Sequence, residues 1–305
     1  MKKNRYVGNK YKPQYYDELH KLRKYLCLRI NKKYLFIEGD PNKKFKSNDE
    51  IVYSKVINQN CQTIPSNTKD GIVKDFKEVY NNQIAIVDKD YDDNDVIQNL
   101  YYTDYNDIEC TAINILNNSS EIFKCMALTG ISENDFEKNI YNKAIVVASK
   151  ISSFNKYIKV YNNKYNKKYK YVLNMIVDKN AKQTTIGDIR RIKRIISKDG
   201  NINYNELINI YRCYDNGCLL TIDSIQKAMT SYVTNDFRGH DFFIILAYLI
   251  DYYSLKFISD IKDDFKFHPC EFIEKKFIDY FSNTKRIKES NMYEEIKSTK
   301  KGFLE

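Results

Sequence analysis

The sequence has no tryptophan, only nine glycines and four prolines, and no run of about 18 apolar residues. Its longest apolar stretch, residues 242–250, is too short to cross a bilayer. The first residues are basic, and no apolar segment follows them. The sequence therefore predicts neither a membrane span nor a secretory signal peptide.

The cysteines and histidines form no recognisable metal motif. The seven cysteines include no Cys-x-x-Cys pair, which argues against a zinc finger or a disulfide framework and is typical of reduced thiols in the cytoplasm. An HD-type phosphohydrolase is excluded because the chain has three histidines, His20, His240 and His268. No Gly-x-x-x-x-Gly-Lys-Ser/Thr loop occurs, so we expect any ATP-driven step to reside in another protein.

The net charge is strongly positive, which favours a polyanionic partner. Fifty Lys and Arg against 40 Asp and Glu give +10 at pH 7. The abundance of Lys, Asn, Ile and Tyr is typical of an AT-rich coding sequence, so part of the lysine reflects composition. The nine arginines are therefore the more informative cations.

The first part of the chain alternates short apolar runs with amphipathic segments. Apolar runs predict buried strands at residues 34–38 and 83–87, and each run ends in an acid. Strands alternating with helices predict βαβ units and a mainly parallel sheet. A third strand is predicted at 100–103, and helices at 13–31, 49–58, 70–81 and 107–116, the last with Asp104 or Asn106 as its N-cap.

From about residue 119 onward the pattern is almost wholly helical. We therefore predict an α/β fold class with an N-terminal catalytic domain over residues 1–118 and a helical domain over 119–305 for substrate and partner binding. In the second domain, helical spacing predicts helices at 133–153, 185–197, 204–215, 222–233, 240–258, 269–281 and 284–297.

Acidic residues stand at the ends of both predicted strands. Glu38 ends the first, Asp88 ends the second, and Asp90 follows two residues later. In a parallel sheet these ends meet at one edge, where binding sites form. Two carboxylates about 4 Å apart repel by roughly 4 kcal/mol at an effective dielectric of 20, and a divalent cation cancels that repulsion. The pattern therefore predicts a site for Mg²⁺ or Mn²⁺.

Two other interpretations of the acidic segment stay open. The run Asp-Lys-Asp-Tyr-Asp-Asp-Asn-Asp at residues 88–95 is also typical of a solvated loop. An EF-hand would use Asp88, Asp90 and Asp92, but it fails because Asp93 occupies the glycine position and Asn99 the bidentate-glutamate position.

Five short motifs follow one another along the chain. The first has a strand before Glu38, and the third has a strand before Asp88. In order, the motifs are Phe-Ile-Glu38-Gly-Asp, Lys69-Asp-Gly, Ile-Val-Asp88-Lys-Asp90-Tyr-Asp92, Tyr-Thr-Asp-Tyr-Asn-Asp-Ile-Glu109 and Arg238-Gly-His240-Asp.

This order resembles the two TOPRIM motifs shared by type II topoisomerases, primases and OLD-type nucleases. The finer pattern is similar to the TOPRIM-like nuclease component of PARIS-type anti-phage systems, which is paired with an ABC-type ATPase. The resemblance covers about residues 33–109 and a patch near His240. Pro41 follows Asp40, and the topoisomerase-like continuation is absent, which argues against a DNA-joining tyrosine mechanism.

The resemblance implies roles for the acids. Glu38 would be the general acid/base or a metal ligand, and Asp88 and Asp90 would hold the metal. Glu109 would be a further ligand, for the same ion or a second one; alternatively it is an ordinary first-turn helix acid. Asp92 is a weaker ligand candidate that could equally lie on the surface.

Lys69 and two basic segments are candidates for contact with substrate. Lys69 could contact phosphate or the transition-state charge, or be an ordinary lysine at a helix start. Arg190, Arg191 and Arg194 lie opposite a row of isoleucines, so phosphate binding, a solvated face and a protein partner all stay open.

The motif at Arg238 and the recurring tyrosines also have two interpretations each. Arg238 and His240 could contact phosphate, with His240 as donor, or the motif could simply start a helix. The tyrosine ridge, defined as Tyr157, Tyr161, Tyr165 and Tyr169, could stack bases or pack against protein.

These observations predict a cytoplasmic, Mg²⁺-dependent endonuclease, with RNA favoured over DNA. The resemblance implies that it acts as an anti-phage toxin and that tRNA is its target. The resemblance also implies an ABC-type ATPase partner, and a homodimer is possible. The alternatives are an OLD-type DNA nuclease and a non-enzymatic adaptor that binds nucleic acid or protein.

Overall fold

A computed structural model of the chain describes residues 13–29, 31–41, 46–57, 60–66, 68–91, 96–176, 191–215, 217–257 and 269–304. The chain divides into two compact units. The first comprises Met1–Asp88, Asp93–Thr103 and Asn291–Glu305, and the second Lys89–Asp92 and Asp104–Ser290. The predicted domain boundary at residue 118 stays a prediction. The two compact units instead meet in sequence at Asp88, Thr103 and Ser290.

The first unit is built on a four-stranded parallel sheet. Its strands are β1 (Lys33–Ile37), β2 (Cys61–Pro65), β3 (Gln83–Val87) and β4 (Leu100–Tyr102), in the order β2-β1-β3-β4. Every neighbouring pair is parallel. The predicted α/β class with a parallel sheet is thus confirmed, and β1 and β3 are its central strands.

The edge strand β2 is absent from the sequence-based prediction. Its residues, Cys-Gln-Thr-Ile-Pro, form no apolar run, because four of the five side chains are partly or fully exposed. Pro65 lacks an N–H group and is tolerated because β2 lies at an edge of the sheet. Strands β1 and β3 are almost entirely buried, which explains why their apolar runs identified them.

The first three helices of the first unit are shorter than predicted. They are α1 (Pro13–Cys27), α2 (Asn48–Tyr53) and α3 (Lys69–Asp75). Side chains of α1 and α3 pack with the strands into one core, with Leu19, Leu26, Ile72, Phe36 and Val87 among its members. Helix α3 ends at Asp75, whose side chain and carbonyl both accept hydrogen bonds from Arg23 of α1.

The second unit is mainly helical. Its helices are α4 (Ile108–Leu116), α5 (Ser119–Met126), α6 (Glu133–Phe136), α7 (Asn142–Tyr165), α8 (Val172–Ile176), α9 (Tyr204–Tyr214), α10 (Ile222–Thr230), α11 (Gly239–Tyr252) and α12 (Pro269–Thr284). Two-residue strands β5 (Leu128–Thr129) and β6 (Lys256–Phe257) pair antiparallel. In the described residues, each helix is too short or too polar to cross a bilayer.

Two predicted helix ends in the second unit are wrong. The helix predicted over 133–153 continues through a π turn, Glu137–Tyr141, into α7, because Phe154, Ile158 and Tyr161 extend its buried face. Helix α11 ends at Tyr252 rather than 258, and Ser254 then adopts a positive φ of 52°.

The helix predicted over residues 284–297 is interrupted. Lys285 has a φ of 59°, and a 3-10 turn follows at Arg286–Glu289. A separate helix, α13 (Asn291–Thr299), then belongs to the first unit, where its Thr299 hydroxyl lies 2.7 Å from the Tyr101 hydroxyl of β4.

Candidate functional site

Glu38 and Asp88 meet at the carboxyl edge of the central strands. Ile37 lies opposite Ile86 in the parallel register, so the residues that follow the two strands are neighbours. The Oε1 atom of Glu38 accepts the backbone N–H of Asp88 at 2.9 Å. The structure therefore brings these two acids together as the sequence predicts, within one unit and at the edge where parallel sheets form sites.

The turn after Glu38 is shaped by glycine and serine. Gly39 has a φ of +150°, and a Cβ there would lie 3.1 Å from Ser47 Oγ and 3.2 Å from Pro65 Cβ. Ser47 donates to the Glu38 carbonyl at 3.2 Å and also caps α2 by accepting the N–H of Glu50. The Glu38 backbone is thereby tied to α2, which orients the carboxylate toward β3.

Lys69 is the first residue of α3 in the same unit. It is partly buried, and its ammonium nitrogen lies 5.5 Å from the centre of the Tyr102 ring of β4. This is a cation–π distance. The contact fits the interpretation of Lys69 as an ordinary helix-start lysine, and its predicted contact with phosphate stays a prediction.

Asp90 and Glu109 belong to the second unit. Asp90 has a left-handed φ of 50°, and its N–H donates to the Asn106 carbonyl at 2.8 Å. Glu109 is partly exposed in the first turn of α4. Asp92, the weaker ligand candidate, lies outside the described residues. The ligand roles of all three stay predictions.

Asp107, which the sequence analysis did not select as a cap, caps two helices at once. It is the N-cap of α4, correcting the predicted Asp104 or Asn106, and its Oδ1 accepts the Cys110 N–H at 2.8 Å. Its two carboxylate oxygens also accept the N–H of Gly239, at 3.0 and 2.8 Å. Burial, with the charge of Glu109, raises the pKa of Asp107 well above its usual value.

Gly239 has a steric reason to be glycine. A Cβ at this position would overlap the side chain of Glu109 and lie 2.8 Å from both Asp107 Oδ1 and the Cys110 backbone nitrogen. The start of α11 can therefore approach the start of α4 only through a residue without a side chain. Two motifs more than a hundred residues apart meet at this point.

Arg238 is mostly buried beside this contact. Its Nη1 lies 3.6 Å from Asp241 Oδ1, and its guanidinium lies 5.3 Å from the Tyr171 ring centre. The other Asp241 oxygen accepts from Asn155 at 3.1 Å, and the Arg238 N–H donates to Ser152 Oγ at 3.0 Å. The guanidinium therefore has an acidic partner inside the unit, and the predicted contact of Arg238 with nucleic acid stays a prediction.

His240 lies in the first turn of α11, which confirms the interpretation of this motif as a helix start. Its Nδ1 lies 2.9 Å from Glu274 Oε2. Burial alone lowers the pKa of His240, but the hydrogen bond and charge of Glu274 outweigh it and raise the pKa to about 9. The predicted donation from His240 to phosphate stays a prediction.

The arginine cluster is described only in part. Arg190 lies outside the described residues, whereas Arg191 and Arg194 are exposed and the isoleucines between and after them are buried. The predicted apolar and basic faces are confirmed for these residues. The helix predicted over 185–197 is wrong at its end, because turns replace it from residue 193 and Ile196 forms an antiparallel β-bridge.

The tyrosine ridge is a packed aromatic cluster. Tyr161 and Tyr169 are each only 5% exposed, and their ring centres lie 5.7 Å apart. Tyr169 lies beyond the end of α7, so the ridge does not continue on one helix as predicted. Tyr165 remains 43% exposed and Tyr157 is partly buried. Tyr157 and Tyr165 are the more accessible rings of the ridge, and the predicted stacking of bases stays a prediction.

Comparison with models of known protein families and with curated proteins found no match to this chain. The interpretation of the site therefore depends on its geometry and on the motifs. The feature that the geometry supports best is the pair of carboxylates at the ends of β1 and β3.

Proposed function

We propose that this chain is a divalent-metal-dependent nuclease and that Glu38 and Asp88 belong to its active site. The observation behind the proposal is the position of these acids directly after adjacent parallel strands, with the Glu38 carboxylate 2.9 Å from the Asp88 backbone nitrogen. The Asp88 N–H holds one Glu38 oxygen at the edge of the sheet. A divalent cation bound there would offset the repulsion between the two acids.

The donor set fits Mg²⁺ or Mn²⁺. Glu38 and Asp88 supply hard carboxylate oxygens, the donors these ions prefer, and neither is followed or preceded by histidine or cysteine. A bound ion would polarise a phosphoryl oxygen and lower the pKa of a bound water. Asp90 and Glu109 are proposed as further ligands from the sequence resemblance.

Glu38 is proposed as the proton acceptor. The N–H of Asp88 fixes one carboxylate oxygen, which orients the group for acid–base work. Glu38 takes the proton of the water whose oxygen attacks phosphorus. As the new phosphorus–oxygen bond forms, the bond to the leaving oxygen breaks, and that oxygen then accepts a proton from water or from protonated Glu38.

The proposed biological setting follows the sequence resemblance. The parallel order β2-β1-β3-β4 supports a TOPRIM-like sheet in the first unit, and the charge of +10 favours a nucleic-acid substrate. We propose a cytoplasmic anti-phage toxin that cuts RNA, with tRNA first among the substrates, and that an ABC-type ATPase holds inactive.

Expression in cells tests substrate and setting together. The chain alone should be toxic and should yield discrete RNA fragments with intact chromosomal DNA. Co-expression of the ABC-type ATPase proposed as its partner should suppress both effects. Glu38→Gln should abolish toxicity, whereas Glu18→Gln, a matched change on an exposed residue of α1, should not. Degraded DNA with intact tRNA would identify a DNA nuclease of the OLD type. Toxicity without nucleic-acid damage would overturn the proposed activity.

A further inference from the structure

Three potential metal ligands of different chemistry meet in the second unit. One ligand atom each of His240, Cys270 and Glu274 lie within 4.8 Å of one another. Among the described residues, this is the one group of three or more such side chains that close. The three belong to the starts of α11 and α12, and no part of the proposed nuclease site in the first unit contributes to them.

We propose that His240, Cys270 and Glu274 bind a zinc-type divalent cation, with water completing a four-coordinate site.

The local structure holds two of the ligands on one helical face. Cys270 and Glu274 are four residues apart in α12, so their side chains point the same way. Cys270 is fully buried, whereas Glu274 and His240 are partly exposed, so an ion has a path to the site from solvent. One turn further along, the rings of Phe243 and Phe277 pack 5.2 Å apart and fix α11 against α12.

The distances suit a small tetrahedral ion. Bonds of about 2.0–2.3 Å to nitrogen, oxygen and sulfur place tetrahedral ligands roughly 3.3–3.8 Å apart. The His240 Nδ1 and Glu274 Oε2 atoms are 2.9 Å apart in a hydrogen bond, and the three ligand atoms span no more than 4.8 Å. Shifts of less than about 1.5 Å in the positions of the three ligand atoms, made by side-chain rotation, would therefore bring them to the spacing of a coordination shell. A bound ion would replace the hydrogen bond and would release the protons of the His240 ring nitrogen and the Cys270 thiol to solvent.

The donor types select the ion. A thiolate with an imidazole and one carboxylate favours zinc over magnesium or calcium, which prefer oxygen donors alone. Water occupies the fourth position of such a three-ligand zinc site. The ion would join the starts of α11 and α12. The same turn of α11 contains Gly239, whose N–H donates to Asp107, the N-cap of α4.

Cobalt titration of the purified, chelator-stripped chain tests the site. In wild type, the thiolate-to-cobalt charge-transfer band and the tetrahedral d–d bands should saturate at one equivalent of thiolate-bound Co²⁺, apart from Co²⁺ bound by the carboxylates of the nuclease site, and Zn²⁺ should abolish these bands. Cys270→Ser should lose the charge-transfer band, and His240→Ala and Glu274→Gln should each weaken binding by at least about tenfold. Zn²⁺ should raise the Tm of wild type and not that of Cys270→Ser.

Two control variants make the outcome specific. Cys213→Ser, at an exposed cysteine of α9, should keep the band, and so should Glu38→Gln, which separates this site from the nuclease proposal. Absence of the band in wild type, its persistence in Cys270→Ser, or its loss in Cys213→Ser would each overturn the proposal. If Cys270→Ser fails to fold, the Co²⁺ affinity of Glu274→Gln tests the proposal instead. An affinity equal to that of wild type would contradict Glu274 as a ligand.

Discussion

Each unit buries an arginine beside an aspartate, but only one of the two ion pairs is complete. In the first unit, Arg23 donates to Asp75 Oδ2, to Gln83 Oε1 and to the Glu78 carbonyl, each at 2.8 Å, and lies over the Phe76 ring. Its donors are used within the fold. Such a pair holds α1 against α3 and the sheet, and serves structure.

In the second unit, Arg238 and Asp241 stand 3.6 Å apart, and Arg238 Nη1 and Asp241 Oδ1 are buried without a hydrogen-bond partner among the described residues. Buried polar atoms are usually paired, so this ion pair is less completely hydrogen-bonded than the pair in the first unit. Two equally buried aspartates thus differ in how completely their arginine partners are hydrogen-bonded.

Replacing each arginine by methionine should give the largest difference between the units. Arg23→Met leaves the fully buried Asp75 carboxylate without its arginine partner and removes several hydrogen bonds. We therefore expect a loss of about 3–5 kcal/mol in the free energy of unfolding. Arg238→Met should cost about 1–3 kcal/mol, because Asp241 keeps its hydrogen bond from Asn155. Urea denaturation followed by circular dichroism measures both. Equal losses, or a larger loss for Arg238→Met, would contradict the comparison.

The shared cap gives the next largest effect. Asp107→Ala removes acceptors from the starts of α4 and α11 together, so it should destabilise the protein by about 2–4 kcal/mol. Asn203→Ala, which removes the cap of α9 alone by freeing the Glu206 N–H, should cost about 1 kcal/mol. The same urea denaturation compares the two variants. If Asp107→Ala loses no more free energy of unfolding than Asn203→Ala, one of the two hydrogen-bonded helix starts makes no contribution to stability.

The partly exposed ion pair of Lys167 and Asp215 should have the smallest effect on stability, in contrast to the two buried arginine pairs. Hydrogen bonding from Lys167 lowers the pKa of Asp215 from its ordinary value of 3.8 to about 2. Because the folded form holds the proton more weakly than the unfolded form, the pair stabilises the protein above about pH 4, and that contribution is lost as the pH falls toward 2. Asp215→Asn and Lys167→Gln should each flatten the fall of Tm over this range. An unchanged slope in either variant would show that the pair makes no contribution to acid stability.

The parts of the fold that the sequence predicts are those whose signal is local. The buried runs of β1 and β3 and the acids after them were identifiable because fully buried parallel strands are continuously apolar. Strand β2 was missed because an edge strand needs no such run. Helix boundaries failed where long-range packing extends or stops a helix, as at Tyr165 and Ser254.

The site in the second unit could be predicted only in part, because distant residues form it. The motif at Arg238 stood out in sequence, but its partners Asp107 and Asn155 precede it by 131 and 83 positions and have no distinctive local pattern. The His240, Cys270 and Glu274 cluster was missed for a similar reason, since no Cys-x-x-Cys pair marks it. A glycine directly before a helix-starting histidine was the one available signal, and its steric role became clear only from the contact with Glu109.

The most direct test of the account measures cleavage of labelled tRNA and linear DNA by the purified chain with Mg²⁺ or with chelator. Wild type should cut RNA only with the ion present. Glu38→Gln and Asp88→Asn should lower the cleavage rate by at least about 100-fold while keeping the wild-type circular dichroism spectrum, and Glu18→Gln should cut at the wild-type rate. Cleavage by Glu38→Gln at the wild-type rate, or wild-type cleavage that persists in chelator, would contradict the assignment of Glu38 and Asp88 as the catalytic metal site.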